Sequence, residues 1–328
     1  MRTARTAAAL VAVIALAGCS SSGGKDDEEP GDGSGGGKGV DTPRLKIAMV
    51  THSGEGDTFW DIVQNGAKTA ARKDNVEFLY ANDKEAKGQA ELVQSFVDKK
   101  VDGIVVTLAK PEAMKSVLAK AADAGIPVVT INSGAEFSAE SGALGHIGQD
   151  ESVAGEAVGD ELNKRGMKKA LCVIHEQGNV SLEQRCAGVE KTFEGTVENL
   201  NVEGTNAPAA QSSISAKLQA TKGIDAVVTL GAPIAAVSVK AKEDAGSEAE
   251  VGTFDLNAEV VKRLKAEEVG FAVDQQPYLQ GYLAIDQLWL HKTNANVIGG
   301  GKPVLTGPTI VTEKDVPELE KYTARGTR

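Results

Sequence analysis

The sequence predicts an α/β protein built as two doubly wound, parallel-sheet lobes. Three observations carry this. Short β-branched runs alternate with longer helical runs, phrases of the first half recur in the second, and residues after the strand-like runs are mostly polar. Strand–helix alternation places helices on both faces of a parallel sheet.

LKIAMV, VEFLYA, DGIVVT and PVVTIN read as strands of a first lobe, and ALCVI, DAVVTL, VGTF and VGFAV as strands of a second. Runs such as AELVQSFVDKK and VAGEAVGDELNKRG read as the helices between them. VDGIVVTLAKP begins at Val101 and IDAVVTLGAP at Ile224, and the following helices end in AADAG (121–125) and KEDAG (242–246). His52 precedes GAKT (66–69) as His175 precedes GVEKT (188–192), an offset of about 122 residues throughout. That period is far too long for a solenoid and suits two similar lobes.

Ahead of the repeats, Arg2 and Arg5 precede an apolar run from Ala7 to Ala17. The run is too short to span a bilayer and suits a signal peptide over residues 1–18. It ends in Leu16-Ala17-Gly18-Cys19, which resembles the bacterial lipobox. That resemblance implies cleavage before Cys19, lipidation of its thiol and a membrane anchor; an ordinary signal peptide with a chance cysteine is the alternative. Residues 19–43 are rich in Gly, Ser, Asp and Glu, too polar to fold, and read as a tether. Its root-mean-square reach as a flexible coil is roughly 25–30 Å.

Removing residues 1–18 deletes two arginines and no acids, taking the formal charge from −11 to −13. So acidic a body argues against nucleic acid as a partner. Besides Cys19, only Cys172 and Cys186 remain. In an oxidising compartment they form either a disulfide or two buried thiols, and the spacing leaves both open.

Ligands of open parallel sheets bind outside the carboxyl ends of the strands. If both lobes turn those ends to one another, Ser53–Trp60, Leu108–Lys110, Asn132–Ser133, Glu176–Arg185, Gly231–Ala232, Asp255 and Asp274–Gln276 line one cleft. Only 4% of residues are aromatic, yet Phe59 and Trp60 adjoin here. Thr58 reads as the helix cap, with Asp61 three positions on. Phe59 then shares a stripe with Val63, Gly66 and Ala70, which suits core, whereas Trp60 shares one with Gln64 and Lys68. A ring at the helix mouth beside Asp57 suits stacking on the C–H face of a sugar.

DTFWDIVQNGA, AGIPVVTINS, HIGQDESVAGEAVGD, NVSLEQRCAGV, GTFD and VDQQPYLQGYLAIDQL, in that order and spacing, resemble the type I periplasmic binding proteins of the ribose/simple-sugar class. The resemblance runs from about Leu45 to Tyr322. It implies lobes joined by a three-strand hinge, with crossings near His146–Gln149, Asp274–Pro277 and Pro303–Thr306. The first lobe is then 44–147 plus 276–303, and the second 148–275 plus 304–328.

By resemblance the stacking aromatics are Phe59 and Trp60, with Asp57 their polar neighbour and Asn132, Arg185, Asp255 and Gln275 as further ligand contacts. Bland readings stand beside these: Arg185 paired with Glu183 on the surface, Asp255 capping the helix near Asn257, and Gln275 bonding only backbone. Leu108 and Gly231 replace asparagines of the ribose pattern, and Ser133 replaces its second arginine. TNAPAAQSS lacks the second-lobe aromatic. The expected ligand is therefore another monosaccharide or a cyclic polyol, delivered to an ABC permease by a monomer that needs no cofactor or metal.

An enzyme is the main rival. Phe59 breaks the dinucleotide glycine pattern that Ser53-Gly54-Glu55-Gly56 begins, GGGKG and GGGKP complete no Walker A, and no GxSxG or HExxH occurs. His52, His146, His175 and His291 lack metal-ligand spacing. A repressor of this fold would need a DNA-binding head where the signal and tether stand. A lipoprotein that presents its ligand to a membrane sensor has the same sequence features as an importer component.

Overall fold

The computed structural model describes residues 42–54 and 57–328. The expected signal peptide, Cys19 and nearly all of the tether lie outside the described residues. Among the described residues no helix is long and apolar enough to cross a membrane.

The first half of the chain runs β1 (Leu45–Thr51), α1 (Thr58–Lys73), β2 (Val76–Asn82), α2 (Ala86–Asp98), β3 (Gly103–Val106), α3 (Pro111–Asp123), β4 (Val128–Ile131), the single turn α4 (Ala135–Ser138) and β5 (His146–Gly148). The second runs α5 (Glu151–Lys164), β6 (Lys169–Ile174), α6 (Val180–Thr192), β7 (Thr196–Asn201), α7 (Ala207–Ala220), β8 (Ala226–Thr229), α8 (Ala232–Ala245), β9 (Glu250–Phe254), α9 (Ala258–Lys265) and β10 (Phe271–Asp274). The chain then adds α10 (Pro277–Asn294), β11 (Val304–Leu305), β12 (Thr309–Val311) and α11 (Val316–Ala324).

Two six-stranded sheets result, ordered β11-β5-β4-β3-β1-β2 and β12-β10-β9-β8-β6-β7. The orders are equivalent strand for strand, as the repeats require. Every pairing is parallel except β10 with β12. Each sheet is covered on both faces. In the first, Ile47, Met49 and Val105 pack under α1 and α10, while Ala48, Val50 and Ile104 pack under α2 and α3. The second sheet has its own two cores, one under α5 and α6 and one under α7, α8 and α9.

The repeat phrases GAKT and GVEKT have a packing role. A β-carbon at Gly66 would collide with the Tyr278 carbonyl of α10, and one at Gly281 with the Val63 carbonyl of α1. In the second lobe, Gly155 of α5 and Gly188 of α6 meet backbone in the same way. Close helix contact thus fixes α1 and α6, whose N-termini face the cleft, and in each pair one helix follows a crossing from the other lobe. Cys172 of β6 and Cys186 of α6 are disulfide-bonded, which ties α6 to its sheet.

Four strands escaped the sequence reading. TVENLN is a half-exposed edge strand with only Val197 and Leu200 apolar, and β5, β11 and β12 have two or three residues each. One of them falls at an expected crossing: Val304 and Leu305 pair with Ile147 and Gly148 at the end of the first sheet, within Pro303–Thr306. The helix cap also differs: Asp57, not Thr58, caps α1, its side chain accepting the Phe59 N–H.

Candidate functional site

Between the sheets' carboxyl ends lies a cavity of about 660 Å³, walled by both lobes. Asp57, Phe59, Trp60, Asn132, Arg185, Asp255 and Gln275 all stand on its wall. It lies beside the strands where the order reverses, β1 next to β3 and β6 next to β8, the switch points at which open parallel sheets part.

The lobes are closed over this space. The Val180 N–H donates to the Ala109 carbonyl at 3.1 Å, and Gln184 Nε2 to Glu136 Oε1 at 2.5 Å. Asn257 Nδ2 donates to Thr58 Oγ1, Asn179 Nδ2 lies 3.3 Å from His52 Nε2, and Lys110 Nζ lies 3.7 Å from Glu176. Each of these pairs joins a first-lobe residue to a second-lobe residue.

Trp60 and Phe59 are both core and cavity wall. They are 5% and 6% exposed, their rings meeting edge to face at 5.1 Å, with His52 edge-on to Trp60 at the same spacing. Asp57 shares that corner. Burial raises its carboxyl to about 6, against the stabilising Phe59 N–H.

The middle of the cavity is a chain of amides and carboxylates. Asn132 and Asp255 both hold left-handed backbone, φ 62° and 69°, where strands β4 and β9 turn into the cleft. Asn132 Nδ2 donates to Gln275 Oε1 at 3.2 Å, and Gln275 Nε2 donates to Asp255 Oδ1 at 2.6 Å. Gln280 Nε2 donates to the same Gln275 oxygen. Gln275, on the second crossing, therefore links the two lobes by its side chain. Burial pushes Asp255 up to about 7, with nearby Arg185 and the Gln275 amide pulling the other way. Asn257, not Asp255, caps α9.

Arg185 is sealed inside and does not pair with Glu183. Its Nε and Nη2 donate to Glu151 at 2.6 and 2.9 Å, and Nη1 donates to the Leu230 carbonyl at 2.9 Å. Phe254 lies under the guanidinium, 4.6 Å to the ring centroid. A guanidinium has five N–H groups and three are used, so two are left without a partner among the described residues.

Some of the expected lining is not wall. Leu108 is buried in the core and faces a groove on the outside of the first lobe, and Gly231 is covered by His175. Glu176 and Asn179, from the expected 176–185 stretch, reach the cavity, as do residues outside the expected lining: His52 and His175, and from the edges Lys84, Glu85, Glu203 and Thr205. The edge residues follow β2 and β7, so the carboxyl-end rule applied to those strands would have found them. Among the described residues no cluster of His, Cys, Asp or Glu could hold a metal ion.

Two duplicated lobes shut on a polar cavity with an aromatic corner define a two-lobed small-molecule-binding protein. The chain belongs to the periplasmic binding protein family, whose domain it matches over residues 47–295. A carbohydrate transporter from Acidothermus cellulolyticus 11B, solved in complex with myo-inositol, is 48% identical, with a TM-score of 0.86 over 87% of this chain and 100% of that one. The xylose/arabinose-binding protein of Sulfolobus acidocaldarius is 26% identical over 219 residues, 61% of this chain. This chain spans only about half, 54%, of that curated relative's length. A solute-binding protein from Burkholderia graminis C4D1M, in complex with D-arabinose, is 23% identical over 83% of this chain and 96% of that one, TM-score 0.74, and shares the fold. The three relatives are thus a carbohydrate transporter, a sugar-binding protein and an ABC-transporter solute-binding protein.

Proposed function

We propose that this protein captures a cyclic polyol or monosaccharide between its lobes and carries it, unaltered, to an ABC permease. Myo-inositol is the first candidate. One observation carries the reading: a closed cavity of about 660 Å³, polar with one aromatic corner, in a chain 48% identical to a transporter component that holds myo-inositol. Its size falls in the roughly 300–1,000 Å³ range of small-molecule sites.

In this reading Trp60 and Phe59 offer aromatic ring surface to the C–H face of the guest ring. Asp57 and Asp255 accept from hydroxyls, the spare Arg185 N–H groups donate, and Asn132 and Gln275 do either. Asn132, Gln275 and Asp255 form a continuous chain across the crossing, so a guest bonded to them engages both lobes at once. Ligand binding and lobe closure are thereby coupled. Cys19 carries the lipid, the tether holds the body outside the membrane, and the body works as a monomer.

Titration calorimetry with myo-inositol, other polyols and common monosaccharides tests the reading. Saturable binding of one of them is expected, with a rise in melting temperature by mass action. Binding of none, or turnover of the bound compound, would refute it. Cys19→Ala is expected to move the protein from the membrane fraction to the soluble one.

A further inference from the structure

We propose that His175 determines which polyhydroxylated ring the cleft accepts, as a ligand contact standing in space that Gly231 leaves open. This inference rests on the polyol- or sugar-binding reading above.

His175 follows β6 directly and its carbonyl accepts the Gly204 N–H at 3.1 Å. Two glycines make its slot. A β-carbon on Gly204 would sit 2.7 Å from the His175 carbonyl and 3.1 Å from ring Cδ2. One on Gly231 would sit 3.0 Å from Cε1 and 3.3 Å from Nε2, and 3.9 Å from Asp255 Oδ2. Gly231 has φ −170°, extended backbone that any residue adopts, so its conformation does not call for glycine. What its missing side chain provides is room for the imidazole, and it sets that ring in the same corner as the Asp255 carboxylate.

The ring's hydrogen bonding points outward to a guest. Among the described residues neither nitrogen has a partner, and Nδ1 is sealed from solvent. A hydrogen bond to a guest therefore goes through Nε2, on a residue that lines the cavity. Burial lowers the imidazole to about 4, so at neutral pH the ring is uncharged and can meet a hydroxyl as donor or acceptor.

The repeat supplies a contrast. His52 holds the equivalent place after β1, but its nitrogens are engaged, Nδ1 with Thr107 Oγ1 at 2.8 Å and Nε2 beside Asn179 at 3.3 Å. Of the two related histidines, His52 serves the closed interface and His175 is left for the guest.

The test is calorimetry with myo-inositol and D-glucose on the full chain and on His175→Ala, Gly231→Ala and the double variant. His175→Ala is expected to weaken myo-inositol binding about tenfold or more and to change the inositol-to-glucose preference, as the loss of a buried polar contact does. Gly231→Ala leaves the backbone unstrained, so it is expected to fold and to weaken binding by displacing the ring. In the His175→Ala background the Gly231 change is expected to add nothing, because its effect runs through the imidazole. Wild-type affinity and preference in His175→Ala would overturn the proposal, and so would a Gly231→Ala loss that persists without the histidine. If His175→Ala does not fold, Gly231→Ala decides: unchanged preference overturns the proposal. Wild-type protein that binds no polyol or sugar overturns the reading beneath it instead.

Discussion

Glu151→Ala separates the buried ion pair from the surface pairing with Glu183, the blander of the two readings of Arg185 in the sequence. The two side chains of the Glu151–Arg185 pair are 2% and 4% exposed, and their hydrogen bonds measure 2.6 and 2.9 Å. Truncating the acid leaves the guanidinium inside with only the Leu230 carbonyl, the Phe254 face and the neighbouring Asp255. Removing one partner of such a pair costs about 3–5 kcal/mol, because the remaining charge stays desolvated. At about 2–4 °C per kcal/mol for a body of this size, the melting temperature is expected to fall by about 6–20 °C. Affinity should fall as well, since an Arg185 freed from Glu151 turns toward Asp255 and takes up a carboxylate meant for the guest. Calorimetric melting and ligand titration read the two effects. Glu183→Ala, an exposed change, should stay within about 0.5 kcal/mol of wild type. Replacing both partners, Glu151→Met with Arg185→Leu, should restore most of the stability but not the affinity. A melting-temperature fall of less than about 2 °C in Glu151→Ala, or an equal fall in Glu183→Ala, would refute this reasoning.

Trp60→Ala should lower affinity at least about tenfold and also destabilise the body by about 3–5 kcal/mol, since its ring is core and cavity wall together; full affinity in a folded variant would make it core alone. Asp255 has a native pKa raised by burial to about 7, so its contribution to stability is lost as pH rises from about 4 to 7, the native state holding the proton longer. The melting temperature of Asp255→Asn relative to wild type should therefore climb with pH over that window and level above it; a flat difference would contradict the shift. Opening the Cys172–Cys186 disulfide by Cys172→Ala with Cys186→Ala should cost about 3 kcal/mol for a loop of this length, measured by denaturant unfolding. Small-angle scattering should show a more compact body when the bound polyol or sugar is added, and an unchanged profile for a proven ligand would count against hinge closure.

Much of the fold was legible because its signals are local. Buried parallel strands read as β-branched runs, and the duplicated phrases mark equivalent strands and the Gly66 and Gly188 helix contacts. The short and polar strands were not legible: β7 alternates weakly at a half-exposed edge, and two- or three-residue strands have no period to read. In the site, the seven residues selected from the chain meet at one cavity wall. A lone His carries no spacing signal, so no histidine stands out in the sequence; only the slot formed by Gly204 and Gly231 sets His175 apart.

By itself the sequence determined that there are two copies of one α/β plan and that an aromatic pair stands at a helix mouth after the first strand. Those facts follow from periodicity and repetition among near neighbours along the chain. Only the tertiary structure decided that Arg185 answers Glu151, that Cys172 and Cys186 join, that β11 belongs to the first sheet and that Gln275 bridges the lobes. Each of these is a meeting of residues from different elements, set by packing and burial, and no local pattern encodes it.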